Sequence, residues 1–106
     1  YKFKAPKAWL DALKPLGSIY LDNGACEAIQ SRGASLLLVG VKKVEGNFSA
    51  NQAVKIINTK SIEIARGICS LSSEDLRNAL KNPKALSPSP LVVHRDLLVL
   101  TDELYN

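Results

Sequence analysis

Ala53 to Leu71 reads AVKIINTKSIEIARGICSL, and the period of its apolar residues decides the architecture. Val54 and Ile56 flank Lys55, Ile62 and Ile64 flank Glu63, and the polar run Asn58-Thr59-Lys60-Ser61 lies between. A period of two on both sides of a short polar break predicts a β-hairpin with one face buried. Just downstream, Ser72 opens a short helix. Asp75 three residues on makes a weak capping box, and Leu76, Ala79 and Leu80 form the apolar stripe. Asn82-Pro83 stops that helix. The stretch from Pro83 to Pro90, with Pro88 between two serines, cannot join a ladder and is expected as an exposed loop. Leu91 to Val93 and Leu97 to Leu100 then give a final strand, interrupted or bent at His94-Arg95-Asp96.

Upstream of the hairpin the pattern changes twice. Ser18 to Leu21 reads as a strand, and Asp22 or Asn23 offers a side-chain oxygen to the orphan amides of a following helix. Ala25, Ala28 and Ile29 fall on one face of that helix, and Arg32 sits in its last turn. Gly33 is placed to take the left-handed conformation that ends it. Leu36 to Val44 reads as one strand, surfacing at Lys42 and Lys43 and ended by Gly46. Residues 1–16 mix lysines with Pro6 and Pro15 and read as a linker arm with one helical turn, docked by Trp9. Residues 17–106 form the domain. Five or six short strands with two short helices predict an α+β class and a small mixed-strand pseudo-barrel, since no long helix is available to cover a parallel sheet.

The 106 residues are 46% hydrophobic and 23% charged, which excludes intrinsic disorder. The longest uncharged apolar stretch, from Gly33 to Val41, falls well short of the roughly 20 residues a membrane-spanning helix needs. No membrane partner is expected. The N-terminus lacks the pattern of a secretory signal. No Met is present, even at position 1, so the chain is expected to be a segment of a longer protein. Of the net charge of +4, residues 1–16 supply +3, from Lys2, Lys4, Lys7 and Lys14 against Asp11. Such a balance permits polyanion binding without demanding it.

Several strings with chemical associations fail on spacing. His94-Arg95-Asp96-Leu97 begins like a protein-kinase catalytic loop, but Thr101 stands where that loop needs an Asn for magnesium, and no glycine-rich phosphate clamp precedes it. The glycines at 33 and 40 lack the Lys-Ser/Thr of a phosphate loop. Ser35 has no nucleophile elbow around it. Cys26, Cys69 and His94 are too few and too far apart for a closed zinc site, so both cysteines are read as core filler, which fits a reducing, cytoplasmic setting. No catalytic or metal-ligating residue is assigned. The glycines have two readings, helix and turn termination or a close backbone approach by a partner such as a sugar-phosphate chain.

Taken in order, several strings resemble the C-terminal PUA region of the glutamate 5-kinase family. They are Gly33-Ala34-Ser35-Leu36-Leu37, Gly40-Val41, Val44-Glu45-Gly46-Asn47-Phe48, Glu63-Ile64-Ala65-Arg66-Gly67 and His94-Arg95-Asp96. The likeness extends upstream through Lys7-Ala8-Trp9-Leu10, Pro15-Leu16-Gly17-Ser18-Ile19 and Asp22-Asn23-Gly24-Ala25. The resemblance implies a PUA pseudo-barrel attached to a kinase that phosphorylates the side-chain carboxylate of L-glutamate in proline biosynthesis. ATP and magnesium would serve that parent, and no cofactor this segment. It also implies two kinds of partner: the parent kinase domain or a sister subunit, for a regulatory or assembly role, or structured RNA. The RNA groove of PUA domains would map here to Arg32, Gly33, Ser35, Leu36, Leu37, Gly40, His94 and Arg95, with Lys42 and Lys43 as further phosphate contacts. The sequence departs from the family where Ala50-Asn51-Gln52 replaces a basic-Gly-acidic turn, which leaves Asn51 to build it, and in the proline-rich stretch from Pro83 to Pro90.

Overall fold

The computed structural model describes residues 14–82 and 89–101. Of the expected arm, Lys14, Pro15 and Leu16 are described, as irregular chain. The docking of Trp9 and residues 83–88 of the proline-rich stretch lie outside the described residues. The strands are β1 (Gly17–Leu21), β2 (Leu36–Leu37), β3 (Val41–Gly46), β4 (Gln52–Ile57), β5 (Glu63–Cys69) and β6 (Leu91–Leu100), with helices α1 (Asn23–Arg32) and α2 (Ser73–Leu80).

The six strands form one sheet in the order β2-β6-β5-β4-β1-β3. β2 and β3 are therefore opposite edges, yet only Leu38–Gly40, one 3-10 turn, separates them in sequence. Six strands laid flat place the edges about 24 Å apart at about 4.8 Å per step. The chain from Leu37 to Val41 spans at most about 14 Å. The sheet must curl, and it does so as a partly closed barrel. This corrects the expectation of one strand from Leu36 to Val44: the continuous apolar run is two edges joined by a turn. β1 pairs in parallel with β4 and antiparallel with β3, so the sheet is mixed, as expected.

Register sorts the side chains. Val44, Ile19, Ile56, Ala65 and Leu100 stand side by side across β3, β1, β4, β5 and β6. They face inward and, with Leu21, Leu36, Leu38, Val54, Leu76, Val92 and Val93, make the core. The neighbouring inward row is Gly46, Gly17, Val54, Gly67 and Leu98. Its glycines are places of close approach. A Cβ on Gly17 would meet the Phe48 ring at 2.5 Å, and one on Gly67 would meet Val93 Cγ1 at 2.6 Å and Leu97 O at 2.8 Å.

The hairpin of β4 and β5 forms, with one difference. Asn58 Oδ1 accepts the N–H groups of Lys60 and Ile62 at 2.9 and 3.0 Å, and Ser61 takes φ 64. That side-chain turn draws Ile62 out of the ladder, leaving it 56% exposed rather than paired with Ile64 in the strand. Asn51 does build the turn before β4, at φ 69. The expected bend in the final strand is a break in register. From Gly67 to Cys69, β5 advances two residues while β6 runs five, from Leu98 to Val93. His94 to Leu97 therefore bulge outward and are exposed.

Both helices begin as the sequence indicated. Asp22 Oδ1 accepts the Ala25 N–H at 2.7 Å, and Ser72 Oγ accepts the Asp75 N–H at 3.1 Å. α1 ends at Gly33, φ 61 and ψ 33. α2 lies on β3, its Leu76 fully buried, Ala79 and Leu80 packed beside it. The buried Ser73 hydroxyl accepts the Phe48 N–H at 3.1 Å and donates to Phe48 O at 3.2 Å. Arg77 Nη2 donates to Gly46 O at 2.6 Å. Cys26 and Cys69 are free and buried, and burial pushes both thiols above their ordinary range.

Gly67→Ala should cost about 1 to 3 kcal/mol by overpacking against β6. Gly24→Ala, whose added Cβ would meet nothing nearer than 3.6 Å, should gain up to about 1 kcal/mol of helix propensity. Urea titration with unchanged m-values distinguishes the two. Ser73→Ala leaves the Phe48 N–H buried without an acceptor and should cost about 1 to 3 kcal/mol in the same measurement. Both thiols should resist an aromatic disulfide reagent in the native chain and react fully once urea unfolds it.

Candidate functional site

α1 and the Leu36–Gly40 stretch meet at a groove of about 300 Å³. The meeting is fixed by backbone: Asp22 N–H donates to Gly40 O at 3.0 Å, and a Cβ on Gly40 would stand 2.6 Å from Ala25 Cβ. Only glycine lets the turn approach the helix this closely. Gly24, Ala25 and Ala28 line the groove from α1, and Ser35, Leu36, Leu37, Val39 and Gly40 line it from the facing chain. Small helical residues thus leave the space that larger ones would fill.

The surface beside the groove is apolar. Val39 is 71% exposed and Leu37 42%, and Leu37 stands cross-strand from the exposed Leu91. The edge is held from the chain leading into the last strand: Leu38 N–H donates to Pro90 O at 2.9 Å, and Val39 N–H to Ser89 Oγ at 3.0 Å. Among the described residues, Asp22 is the one formally charged residue of the lining.

The structure brings the sequence-predicted residues together unequally. Ser35, Leu36, Leu37 and Gly40 all line the groove. Ser35 Oγ accepts the Arg95 N–H at 2.8 Å, joining the β6 bulge to the loop after Gly33 although 60 residues separate the two. Arg32 is exposed in the last turn of α1. His94 is turned to its own bulge: its Nδ1 accepts the Asp96 N–H at 3.0 Å and lies 3.6 Å from Asp96 Oδ2. Lys42 is exposed on β3, outside the lining.

Lys43 is engaged elsewhere. It stands opposite Tyr20 across the β1–β3 pair, 4.3 Å from the ring centroid, with its Nζ 3.5 Å from Glu45 Oε2. Tyr20 Oη donates to Glu45 Oε1 at 2.7 Å. That bond, with the nearby Lys43 charge, holds the Glu45 carboxyl below the usual range, and it raises the Tyr20 phenol.

Asp22, Gly24, Ala25, Ala28 and Val39 were not singled out by sequence as groove residues. Ala25, Ala28 and Ile29 read there as one apolar face of α1. Ile29 is buried in the core as that face requires, together with Cys26, while Ala25 and Ala28 are half-buried beside the groove. The available signal was the run of small residues at 24, 25 and 28, which a fully packed helix face would not use. Among the described residues no group of three or more His, Cys, Asp or Glu side chains is placed to hold a metal ion. The arrangement can bind an apolar group, with one carboxylate, that of Asp22, at the lining.

Comparison with known proteins agrees with this architecture. The family model described as "PUA domain" matches residues 17–85. The glutamate 5-kinase of Prochlorococcus marinus strain MIT 9313 is 63% identical over 95 residues, which are 89% of this chain and 26% of that protein. The chain thus spans about a quarter of that relative's length. Among solved structures, a PUA domain from Aeropyrum pernix K1, crystallised as a tartrate complex, superposes with a TM-score of 0.67 at 25% identity, covering 76% of this chain and 41% of that one. A chain of the archaeal box H/ACA sRNP Nop10-Cbf5 complex shares the fold with a TM-score of 0.59 at 20% identity, over 79% of this chain and 24% of that one. In strand order, helix placement and sequence alike, this chain belongs to the PUA domain family.

Proposed function

We propose that this chain is the non-catalytic C-terminal PUA domain of a glutamate 5-kinase, acting as a regulatory or assembly module. The parent would transfer the γ-phosphoryl group of ATP, with magnesium, to the side-chain carboxylate of L-glutamate, opening proline biosynthesis. Support comes from the 63% identity to such an enzyme. Residues 1–16 would be the arm from the kinase domain, and residues 17–106 the module.

One observation carries the role: among the described residues, the groove between α1 and Leu36–Gly40 has an apolar lining whose single formal charge is the carboxylate of Asp22. Polyanion affinity grows with the number of cations set against phosphates. An apolar surface with an acidic end suits a protein contact better, and exposed apolar patches mark such contacts. The partner is the kinase domain of the same polypeptide or of a sister subunit, since about three quarters of the relative's length lies outside the match. No described helix is long and apolar enough to cross a membrane.

In the full-length parent, Val39→Glu should alter oligomeric state or proline inhibition while the fold of this domain is retained. Deletion of residues 17–106 should do the same. Unchanged kinetics, inhibition and sedimentation in both would remove the reading.

A second reading, binding of structured RNA, is favoured by the bond from the Arg95 backbone N–H to Ser35 Oγ, which sets Arg95 beside the loop after Gly33. Titration with a tRNA pool at low ionic strength tests it. RNA binding would show saturable affinity that falls steeply with salt and weakens in Arg95→Ala, whereas no binding at high micromolar concentration excludes it.

A further inference from the structure

Asp22 serves two purposes at one end of the groove. Its Oδ1 accepts the Ala25 N–H at 2.7 Å and caps α1, and the residue, half-buried, also lines the groove. The cap leaves the second carboxylate oxygen for another donor. Among the described residues no lysine, arginine or histidine forms an ion pair with Asp22. The start of α1 carries the equivalent of about +0.5 charge, which the full negative charge of the carboxylate outweighs. Arg32 lies ten residues further along the helix, about 15 Å away, beyond the screening length of roughly 8 Å at physiological salt. This end of the groove therefore favours a cation.

The walls favour hydrocarbon. Gly24, Ala25 and Ala28 form one side, and Leu36, Leu37 and the exposed Val39 face them. At about 300 Å³ the groove stands at the lower limit of ligand pockets, roughly 300–1,000 Å³, which suits a single side chain better than a cofactor. From Gly24 to Ala28 is about 6 Å of helix, room for a stem of a few methylenes. Arginine and lysine are the side chains that join such a stem to a cationic head.

We propose that the groove takes one basic side chain, arginine or lysine, from the kinase domain that docks there, its stem along Ala25, Ala28 and Val39 and its head on the Asp22 carboxylate. This rests on the reading of the groove as a contact with that domain, and adds the chemistry of the anchor. Leu37, Val39 and Leu91, all exposed in this chain, would form the apolar surround that excludes water from the pair. A single anchor in a pocket with such a surround is how a small number of residues dominates an interface.

Asparagine caps helices about as well as aspartate, so Asp22→Asn removes the charge and keeps α1. In amide NMR spectra of the 106-residue chain, n-butylguanidinium, a stem and head alone, should shift the Gly24, Ala25, Ala28 and Gly40 signals saturably. It should do so at lower concentration than n-pentanol or inorganic phosphate. Asp22→Asn should weaken that binding roughly two- to fivefold and leave the response to pentanol unchanged. In the full-length parent the same variant should alter oligomeric state or proline inhibition in the direction that Val39→Glu does. Equal affinity for butylguanidinium and pentanol, tighter binding of phosphate, or a preference for the cation that survives Asp22→Asn would each overturn the proposal. A parent altered by Val39→Glu and untouched by Asp22→Asn would keep the groove as a protein contact and overturn the basic anchor. A parent altered by neither would remove both.

Discussion

Three residues hold the two edges of a six-stranded sheet together. Leu38–Gly40 is too short to cross a flat sheet, so the polypeptide between Leu37 and Val41 acts as a clasp, and the curl of every strand between follows from it. The clasp is itself secured from both ends of the sequence, by Asp22 N–H on Gly40 O and by Leu38 N–H on Pro90 O. Closure also demands room, and the inward row of Gly17, Gly46 and Gly67 supplies it where Phe48 and the β6 bulge press on the sheet. Backbone geometry sets the shape, and the apolar rows then stabilise it.

Local signals in the sequence carried the elements well, because caps and alternation act over four or five residues. Asp22, Gly33, Ser72 and the Asn58 turn all do what their chemistry indicates. The run from Leu36 to Val44 was misleading because a buried strand and a buried 3-10 turn demand the same apolar residues. Nothing local marks the change of sheet edge. Pairing of β1 with β4, in parallel and across α1, β2 and β3, is a long-range fact with no local signature. The resemblance to a known family supplied what periodicity could not: that the first helix and the glycine loop after it would border one groove.

The candidate site shows the same division. Ser35, Leu36, Leu37 and Gly40 are neighbours in sequence and remain so in the groove, and Arg95 joins them through one hydrogen bond that only the fold creates. Lys43 looked equivalent to Lys42 in sequence. Alternation along β3 sends it to Tyr20 and Glu45, where its charge is partly neutralised. Cations counted along the chain are thus not cations available at one surface, and the groove keeps an acidic and apolar character despite a net charge of +4.

The hold of α2 on β3 has a consequence for life in a crowded setting. An open strand margin is a template on which other chains can add, and β3 is such a margin. Leu76 beneath and the Arg77 guanidinium on Gly46 O lay a helix over that seam, while the opposite seam, β2, is only two residues long. The Gly46 carbonyl is thereby taken and β2 is a short template, so two features of the borders work against strand addition by neighbouring copies.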